Sequence, residues 1–150
     1  MHDVSATGLS FTIQASKTFP TGILITAFAD DADPLDLPAV DIAQTGMDIN
    51  GNLVSWSTPT PQTVTINVLA GSEEDQNLSI LLEANTAKKG RRHAGDIITF
   101  VASYGDGSTV TARNGKITNG SRGNSAASAG RLKSKAYTFV FQDFDSTRVR

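Results

Sequence analysis

The side chains best suited to acid–base chemistry at neutral pH are two histidines, His2 and His93. Asp96 lies close after His93, and a carboxylate that orients a histidine is one part of a hydrolytic triad. No serine elbow or other framing motif accompanies this pair, and His2 lies near the N-terminus. We therefore interpret His93 as a solvated loop residue and expect the protein not to be an enzyme.

An acidic, proline-punctuated segment contains four aspartates: Asp30, Asp31, Asp33 and Asp36. Calcium loops converge several oxygens around a glycine turn and end on a bidentate glutamate. Here prolines stand where the glycine is needed and the glutamate is missing, which favours a solvated or subunit-facing loop over a metal site. The chain has no cysteine, which excludes disulfides and thiolate ligands. We expect neither a metal nor a cofactor.

A basic run follows the one segment with clear helical periodicity, and it contains Lys88, Lys89, Arg91 and Arg92. Cations at a helix C-terminus complement the helix dipole, which explains the two lysines better than the two arginines. DNA-binding proteins usually carry a clear basic excess, whereas the formal net charge here is −2. An alternative is that the basic run and the acidic segment mark oppositely charged ends that orient head-to-tail packing. The candidate subunit contacts are the four aspartates, these four basic residues and Arg122.

Alternating apolar and polar residues predict β-strands along most of the chain. The strands are expected near residues 9–15, 22–28, 40–44, 62–68, 97–104, 109–113 and 136–144, with 116–118 as a short extension. Asn50-Gly51 is a strong hairpin signal because both residues tolerate positive φ. One helix is expected from about Glu73 to Lys88, with Ser72 as its N-cap.

Seven or eight strands and one helix, without alternation between them, indicate a mainly β fold. We expect an antiparallel β-barrel or rolled β-sandwich with the helix on its open side, and residues 1–150 as a single domain. Two loops, 30–38 and 119–130, interrupt the pattern, and the second is rich in Asn, Gly, Ser and Ala. Strand 136–144 has no charge before Asp143 and would aggregate as a free edge, so we expect it to pair with a neighbouring subunit.

Short motifs in a fixed order resemble the tail tube proteins of bacteriophages, most closely those of contractile tails. They are TGMDING (45–51), Trp56, TPTP (58–61), the strand 64–68, and Gly71-Ser72 where a helix begins. The resemblance covers about residues 9–144. It implies hexameric rings that stack into a hollow tube, a conduit through which genomic DNA passes without specific binding. It also implies sheath, tape-measure and baseplate proteins as partners, and a place in the virion tail after synthesis in the host cytoplasm.

Two alternatives stay open at this point. A tube initiator or tail-completion protein would share the fold but form a single ring. A monomeric β-sandwich that binds carbohydrate would usually display exposed aromatic residues, whereas Trp56, Tyr104 and Tyr137 are scattered along this chain. Neither a secretory signal nor an apolar run long enough to cross a bilayer is evident, so we expect no membrane association.

Overall fold

A computed structural model of the chain describes residues 8–26, 28, 34–90, 92–105, 107–123, 126, 130 and 132–147. These residues form nine strands and one helix. The elements are β1 (Ser10–Ala15), β2 (Phe19–Ile25), β3 (Leu35–Asp36), β4 (Ala43–Met47), β5 (Leu53–Ser57), β6 (Gln62–Val68), α1 (Glu73–Ala84), β7 (Ile98–Ser103), β8 (Thr109–Gly120) and β9 (Lys135–Thr147).

Seven strands form one antiparallel sheet in the order β2-β1-β7-β8-β9-β6-β3, and β4 pairs only with β5. β8 and β9 are the long central strands, with β7 and β1 beside one half of them and β6 beside the other half. A bridge between Phe28 and Val68 links the chain after β2 to the end of β6. The described sheets do not close into a barrel, so of the two predicted forms the rolled, sandwich-like one is found.

The core lies on one face of the large sheet because alternate residues of each strand point to the same side. Its largest fully buried side chains are aromatic, namely Phe11, Phe100, Tyr137, Phe139 and Phe141. Leu78 and Leu81 of α1 join this cluster, which confirms that the helix packs on the open side of the sheet.

The prediction that the last strand pairs with a neighbouring subunit is wrong. β9 lies between β8 and β6 in the same chain and pairs with both along most of its length. Phe139 and Phe141 are therefore covered by the chain's own core. The sequence shows that this strand needs partners, but not that residues 62–68 and 109–120 supply them.

Both predicted loops, 30–38 and 119–130, contain residues that belong to strands. β8 continues without a break from Thr109 to Gly120, with Asn114 at a positive φ of 55° as a local irregularity, so residues 119 and 120 belong to a strand and not to the predicted loop. Leu35 and Asp36 form the short strand β3, which pairs with β6 inside the predicted loop 30–38.

The helix begins as predicted and ends early. As the N-cap, the Ser72 side chain accepts a hydrogen bond from the backbone amide of Asp75. The helix ends at Ala84, and its last turn contains no basic residue. Asn85 ends it because its side-chain amide donates to Leu81 O and to Asp96 Oδ2 (both 2.9 Å). The dipole interpretation of Lys88 and Lys89 is therefore wrong, since both residues follow the end of the helix.

Candidate assembly interface

The hairpin of β4 and β5 stands apart from the core. Its two strands pair over five positions, from Ala43–Ser57 to Met47–Leu53, and do not join the large sheet. Apolar side chains are exposed on both of its faces and at its ends, where a free monomer leaves them in water. They are Ile42, Met47, Ile49, Leu53, Val54 and Trp56.

The tip of the hairpin is held by one carboxylate. Asp48 Oδ1 accepts the backbone amides of Asn50 (2.9 Å) and Asn52 (2.8 Å), and Asp48 O accepts the amide of Gly51 (3.1 Å). The backbone amide of Asn52, followed by its side-chain amide, holds the pKa of the Asp48 carboxyl below 3.8. The antiparallel pairing of β4 with β5 confirms the hairpin predicted from Asn50-Gly51, and of these two turn residues Gly51 alone has a positive φ, of 83°. The tip therefore presents a negative charge beside Ile49, whose side chain is 101% exposed.

The base of the hairpin is tied to the chain on either side. The amide of Thr58 donates to Ile42 O (3.0 Å), and the Thr60 hydroxyl donates to Asp41 O. The side-chain amide of Gln62, the first residue of β6, donates to Pro38 O (3.1 Å). These bonds orient the hairpin relative to the large sheet, although among the described residues no part of the core covers its faces.

An open hollow of about 540 Å³ lies beside this base, against the outer side of β8 and β9. We call it the apolar hollow. Pro59 and Pro61 form one wall, and Thr118 and Val140 contribute to the other. Lys116 is the one charged residue among its described lining residues.

Charged residues gather at the two ends of α1. Glu73 and Glu74 lie in its first turn, near Thr26, whose hydroxyl is 3.5 Å from Glu74 Oε1. Lys17, Arg92 and His93 line a second hollow of about 400 Å³ beyond its C-terminal end. The structure thus brings basic residues from the β1–β2 turn and from the basic run to the same end.

The predicted contact residues differ in their surroundings: some form ion pairs within the chain, and others are exposed. Lys88 and Arg122 both pair with Glu83 of the same chain, the latter at 3.6 Å. Asp36, Lys89 and Arg92 are exposed. Asp30, Asp31, Asp33 and Arg91 lie outside the described residues, so their role as contacts stays a prediction.

Asp96 is the buried carboxylate closest in sequence to His93, and it acts as a clamp. It is 1% exposed and accepts the amides of Lys17 (2.8 Å) and Thr18 (3.0 Å), the Thr18 hydroxyl and the Asn85 side chain. Burial raises the pKa of the Asp96 carboxyl, but these hydrogen bonds, led by those from Thr18 and Asn85, outweigh it and hold the pKa below 3.8. Asp96 is thus bonded to the β1–β2 turn and the helix end, whereas His93 is exposed to solvent.

The described part of the chain contains no cluster of three or more histidine or acidic side chains that would hold a metal ion. It also contains no helix long and apolar enough to cross a membrane.

Sequence reasoning missed the most exposed apolar residues as contact candidates. The run 45–51 and Trp56 carry the family resemblance, whereas every predicted contact residue is charged. The available signal was that apolar residues fall on both faces of one short hairpin: Met47 and Leu53 pair on one face, and Val54 and Trp56 lie on the other. A hairpin packed on its own core would show one apolar face only.

The fold resembles that of solved components of contractile injection systems. A chain in the 6-fold symmetrised baseplate of the anti-feeding prophage aligns with a TM-score of 0.61 at 9% identity, covering 100% of this chain and 99% of that one. A chain in the PVC sheath/tube terminator, in the extended state, aligns with 0.55 at 13% identity, covering 99% of each. A chain in the tube-terminating cap of the anti-feeding prophage aligns with 0.54 at 11% identity, covering 99% and 95%. At these identities the likeness shows a shared fold.

Sequence comparison gives the family directly. No curated protein matches the chain. A family model described as tail fiber protein gp32 matches residues 2–145. Because this match spans nearly the whole sequence, the chain belongs to the tail fiber protein gp32 family.

Proposed function

We propose that this protein is a structural tail subunit that assembles with copies of itself into rings, and that these rings stack as the tail tube of a contractile phage-like particle. The observation that carries the proposal is the β4–β5 hairpin, with apolar residues exposed on both faces. An isolated two-stranded hairpin is at best marginally stable in water. Its uncovered apolar surface is accounted for if a neighbouring copy covers it in the assembled state.

The edges of the sheets support the same proposal. β2 lies at one edge of the large sheet, and each hairpin strand is paired on one side only. Unpaired edges of this kind accept a strand from another chain. Pairing between successive copies around a ring would join the sheets into a continuous wall around a lumen, through which DNA would pass without specific binding.

The distribution of charge supports head-to-tail stacking. Glu73 and Glu74 lie at one end of α1, and Lys17 and Arg92 lie beyond the other, while the exposed Lys89 follows the helix in sequence. A heterologous contact between unlike ends repeats from copy to copy, whereas contacts between like ends would repel. We propose that the aspartates of the acidic segment, Asp30, Asp31, Asp33 and Asp36, and the basic residue Arg91 take part in such contacts between copies.

The names of the similar proteins support a place in a tail and suggest alternatives within it. The solved neighbours come from a baseplate, a tube terminator and a tube cap of contractile systems, so a single initiating or terminating ring is the second candidate. The family's description names a tail fiber, which is a third tail position. A tube would bring the protein beside sheath, tape-measure and baseplate proteins, in a structural and not an enzymatic role.

Electron microscopy of the purified protein across a concentration series tests the proposal. Hollow tubes or stackable rings with six-fold averages support the tube, single rings that never stack support the terminator, and thin rods without a lumen support the fiber. A monomer at every concentration, even with a tail-tip complex added as template, contradicts self-assembly.

A paired set of variants links assembly to the hairpin. Replacing Met47 and Leu53 with threonine keeps β-propensity but removes apolar surface, and we expect it to abolish rings or tubes while the monomer stays folded. Ile80→Gln on the outer face of α1 also removes an exposed apolar side chain, and serves as the control. Equal loss of assembly in both variants would contradict a specific role for the hairpin.

A further inference from the structure

We propose that the tip of the β4–β5 hairpin of one copy docks into the apolar hollow of a second copy, with Ile49 entering the hollow and Asp48 facing Lys116. This inference rests on the proposed self-assembly and specifies which surfaces meet. The partner is a second copy of this chain because the chain itself carries two uncovered surfaces of matching chemistry.

The tip has the features of an anchor. Ile49 is fully exposed, and the loop that carries it is held by four hydrogen bonds to Asp48, three to its carboxylate and one to its carbonyl. A loop that is already ordered loses little conformational entropy when it binds, so apolar burial is converted into affinity efficiently. Met47 and Leu53, the last pair of the ladder, lie directly behind it and enlarge its apolar surface.

The hollow is suited to such an anchor. Its volume of about 540 Å³ accommodates a branched aliphatic side chain with its neighbours, and two prolines stiffen one wall. Lys116 supplies a positive charge where the tip carries its negative one, so the charges as well as the apolar surfaces are complementary.

The hairpin cannot fill the hollow of its own chain. The hollow adjoins Pro59 and Pro61, immediately after β5 ends at Ser57, whereas the tip lies at the far end of a ladder of five paired positions. Five residues of antiparallel strand span roughly 17 Å, so the tip is held away from the base. Only another copy can bring a tip to this hollow.

Cysteine cross-linking tests the contact cleanly, because the natural chain has no cysteine. One preparation carries Ile49→Cys and a second carries Thr118→Cys, and the two are mixed under mild oxidation. We expect a mixed disulfide dimer as the main product on a non-reducing gel, confirmed by mass spectrometry of the linked peptides. As control, Gln76→Cys on exposed α1 replaces Thr118→Cys. Equal cross-linking to both positions, or products that join only two Ile49→Cys chains to each other, would overturn the inference.

A charge variant tests the second half of the contact. Lys116→Glu places a negative charge opposite Asp48, and we expect the yield of the mixed disulfide to fall about three-fold, as a surface pair predicts. Arg113→Glu is the matched control, since Arg113 is an exposed cation on the same strand that does not line the hollow. An equal fall in both variants, or no fall in either, would overturn the pairing of Asp48 with Lys116.

The two proposals fail in different ways. If the unmodified protein forms rings or tubes but the Ile49→Cys chain does not select the Thr118→Cys chain, self-assembly stands and the docking of tip into hollow is wrong. If no assembly forms under any condition, and no mixed disulfide accumulates, the proposed function fails together with the inference.

Discussion

At the scale of single residues, the side chain best placed in the sequence for acid–base chemistry beside a histidine, that of Asp96, instead connects secondary-structure elements by hydrogen bonds. Asp96 has a histidine three positions away in sequence, which invited a catalytic hypothesis. Its carboxylate instead binds the turn at Lys17 and Thr18 and the helix end at Asn85. The two turn residues are almost 80 positions distant in sequence, and a local pattern carries no information about contacts at that separation.

Removal of the Asp96 carboxylate tests this clamp. Asp96→Ala leaves the part-buried amides of Lys17 and Thr18 without their acceptor, and we expect the free energy of unfolding to fall by about 3 kcal/mol. Urea unfolding followed by far-ultraviolet circular dichroism measures it, because Trp56 lies on the exposed hairpin and reports poorly on the core. Asp145→Ala, an exposed aspartate of β9, should change stability by less than about 0.5 kcal/mol. A small effect of Asp96→Ala would show that the turn and the helix end are held by other contacts.

The pH dependence of the same clamp follows from the sign of its pKa shift. The folded pKa of Asp96 lies below the ordinary value of 3.8, so the stabilisation is complete above that pH. It is lost as the pH falls through the lowered folded pKa. We therefore expect the stability difference between the natural protein and Asp96→Asn to be constant at neutral pH and to shrink only below about pH 3.8. A difference that changes between about pH 5 and 8 would contradict the assignment.

At position 115 of β8, the neighbouring strand β9 leaves no room for a side chain larger than that of glycine. A Cβ at this position would lie 2.2 Å from Phe141 Cδ1 and 2.8 Å from Val140 O, so both ring and backbone would have to move. We expect Gly115→Ala to cost about 2 kcal/mol of stability, as overpacking does. Gly123→Ala, which has no atom within 4 Å of its Cβ, is the control and should be nearly neutral. Similar thermal unfolding midpoints for both variants would contradict this packing argument.

At the scale of elements, periodicity predicted which segments are strands and helix, and tertiary contacts decided where they end. The N-terminus of α1 was predictable because its cap, Ser72, is local. Its C-terminus was not, because Asn85 leaves the helix to bind Asp96. The prediction that the last strand lies at an edge is wrong for a related reason. Alternation of apolar and polar residues shows which side chains share a face of the strand, but it does not show which strands lie beside it in the sheet.

The docking of α1 on the sheet depends on a buried polar cluster. Tyr137 OH donates to Asp75 Oδ1 (3.0 Å) and lies 2.8 Å from Ser79 Oγ, while Lys135 Nζ is 3.4 Å from the same carboxylate oxygen. Burial, reinforced by the charge of Asp75, raises the pKa of Tyr137 to about 12. The phenol therefore stays protonated and serves as a donor throughout the neutral range.

Removing this hydroxyl tests how the helix is attached. We expect Tyr137→Phe to lower the free energy of unfolding by about 1.5 kcal/mol. Ser79→Ala should lower it less, because Tyr137 and Lys135 both retain Asp75 as their interaction partner. The contribution of Tyr137 should be complete below about pH 10 and decline as the pH rises from 10 towards 12, since its folded pKa is raised. A stability cost for Tyr137→Phe that is absent at neutral pH would contradict the role of the hydroxyl.

At the scale of the whole molecule, two kinds of surface are available for assembly, and they respond differently to salt. The hairpin and the apolar hollow depend mainly on apolar burial, which sulfate strengthens because it is excluded from protein surfaces. The charged ends of α1 attract across solvent, where roughly 0.15 M salt limits the range to about 8 Å. Salt identity thus separates the contribution of one surface from that of the other.

We therefore expect assembly, followed by light scattering, to weaken as sodium chloride rises from low salt to about 0.5 M and to recover when sodium sulfate replaces it at equal ionic strength. Chloride mainly screens the charged ends, whereas sulfate screens them equally and also strengthens apolar contacts. Replacing Lys89 and Arg92 with glutamine, which removes their charge without creating repulsion, should reduce the sensitivity to sodium chloride and leave the response to sulfate. Leu53→Thr alone, which removes only part of the apolar surface, should do the opposite. If both variants lost both responses together, the two surfaces would not be separate contributors and the division of roles between hairpin and helix ends would be wrong.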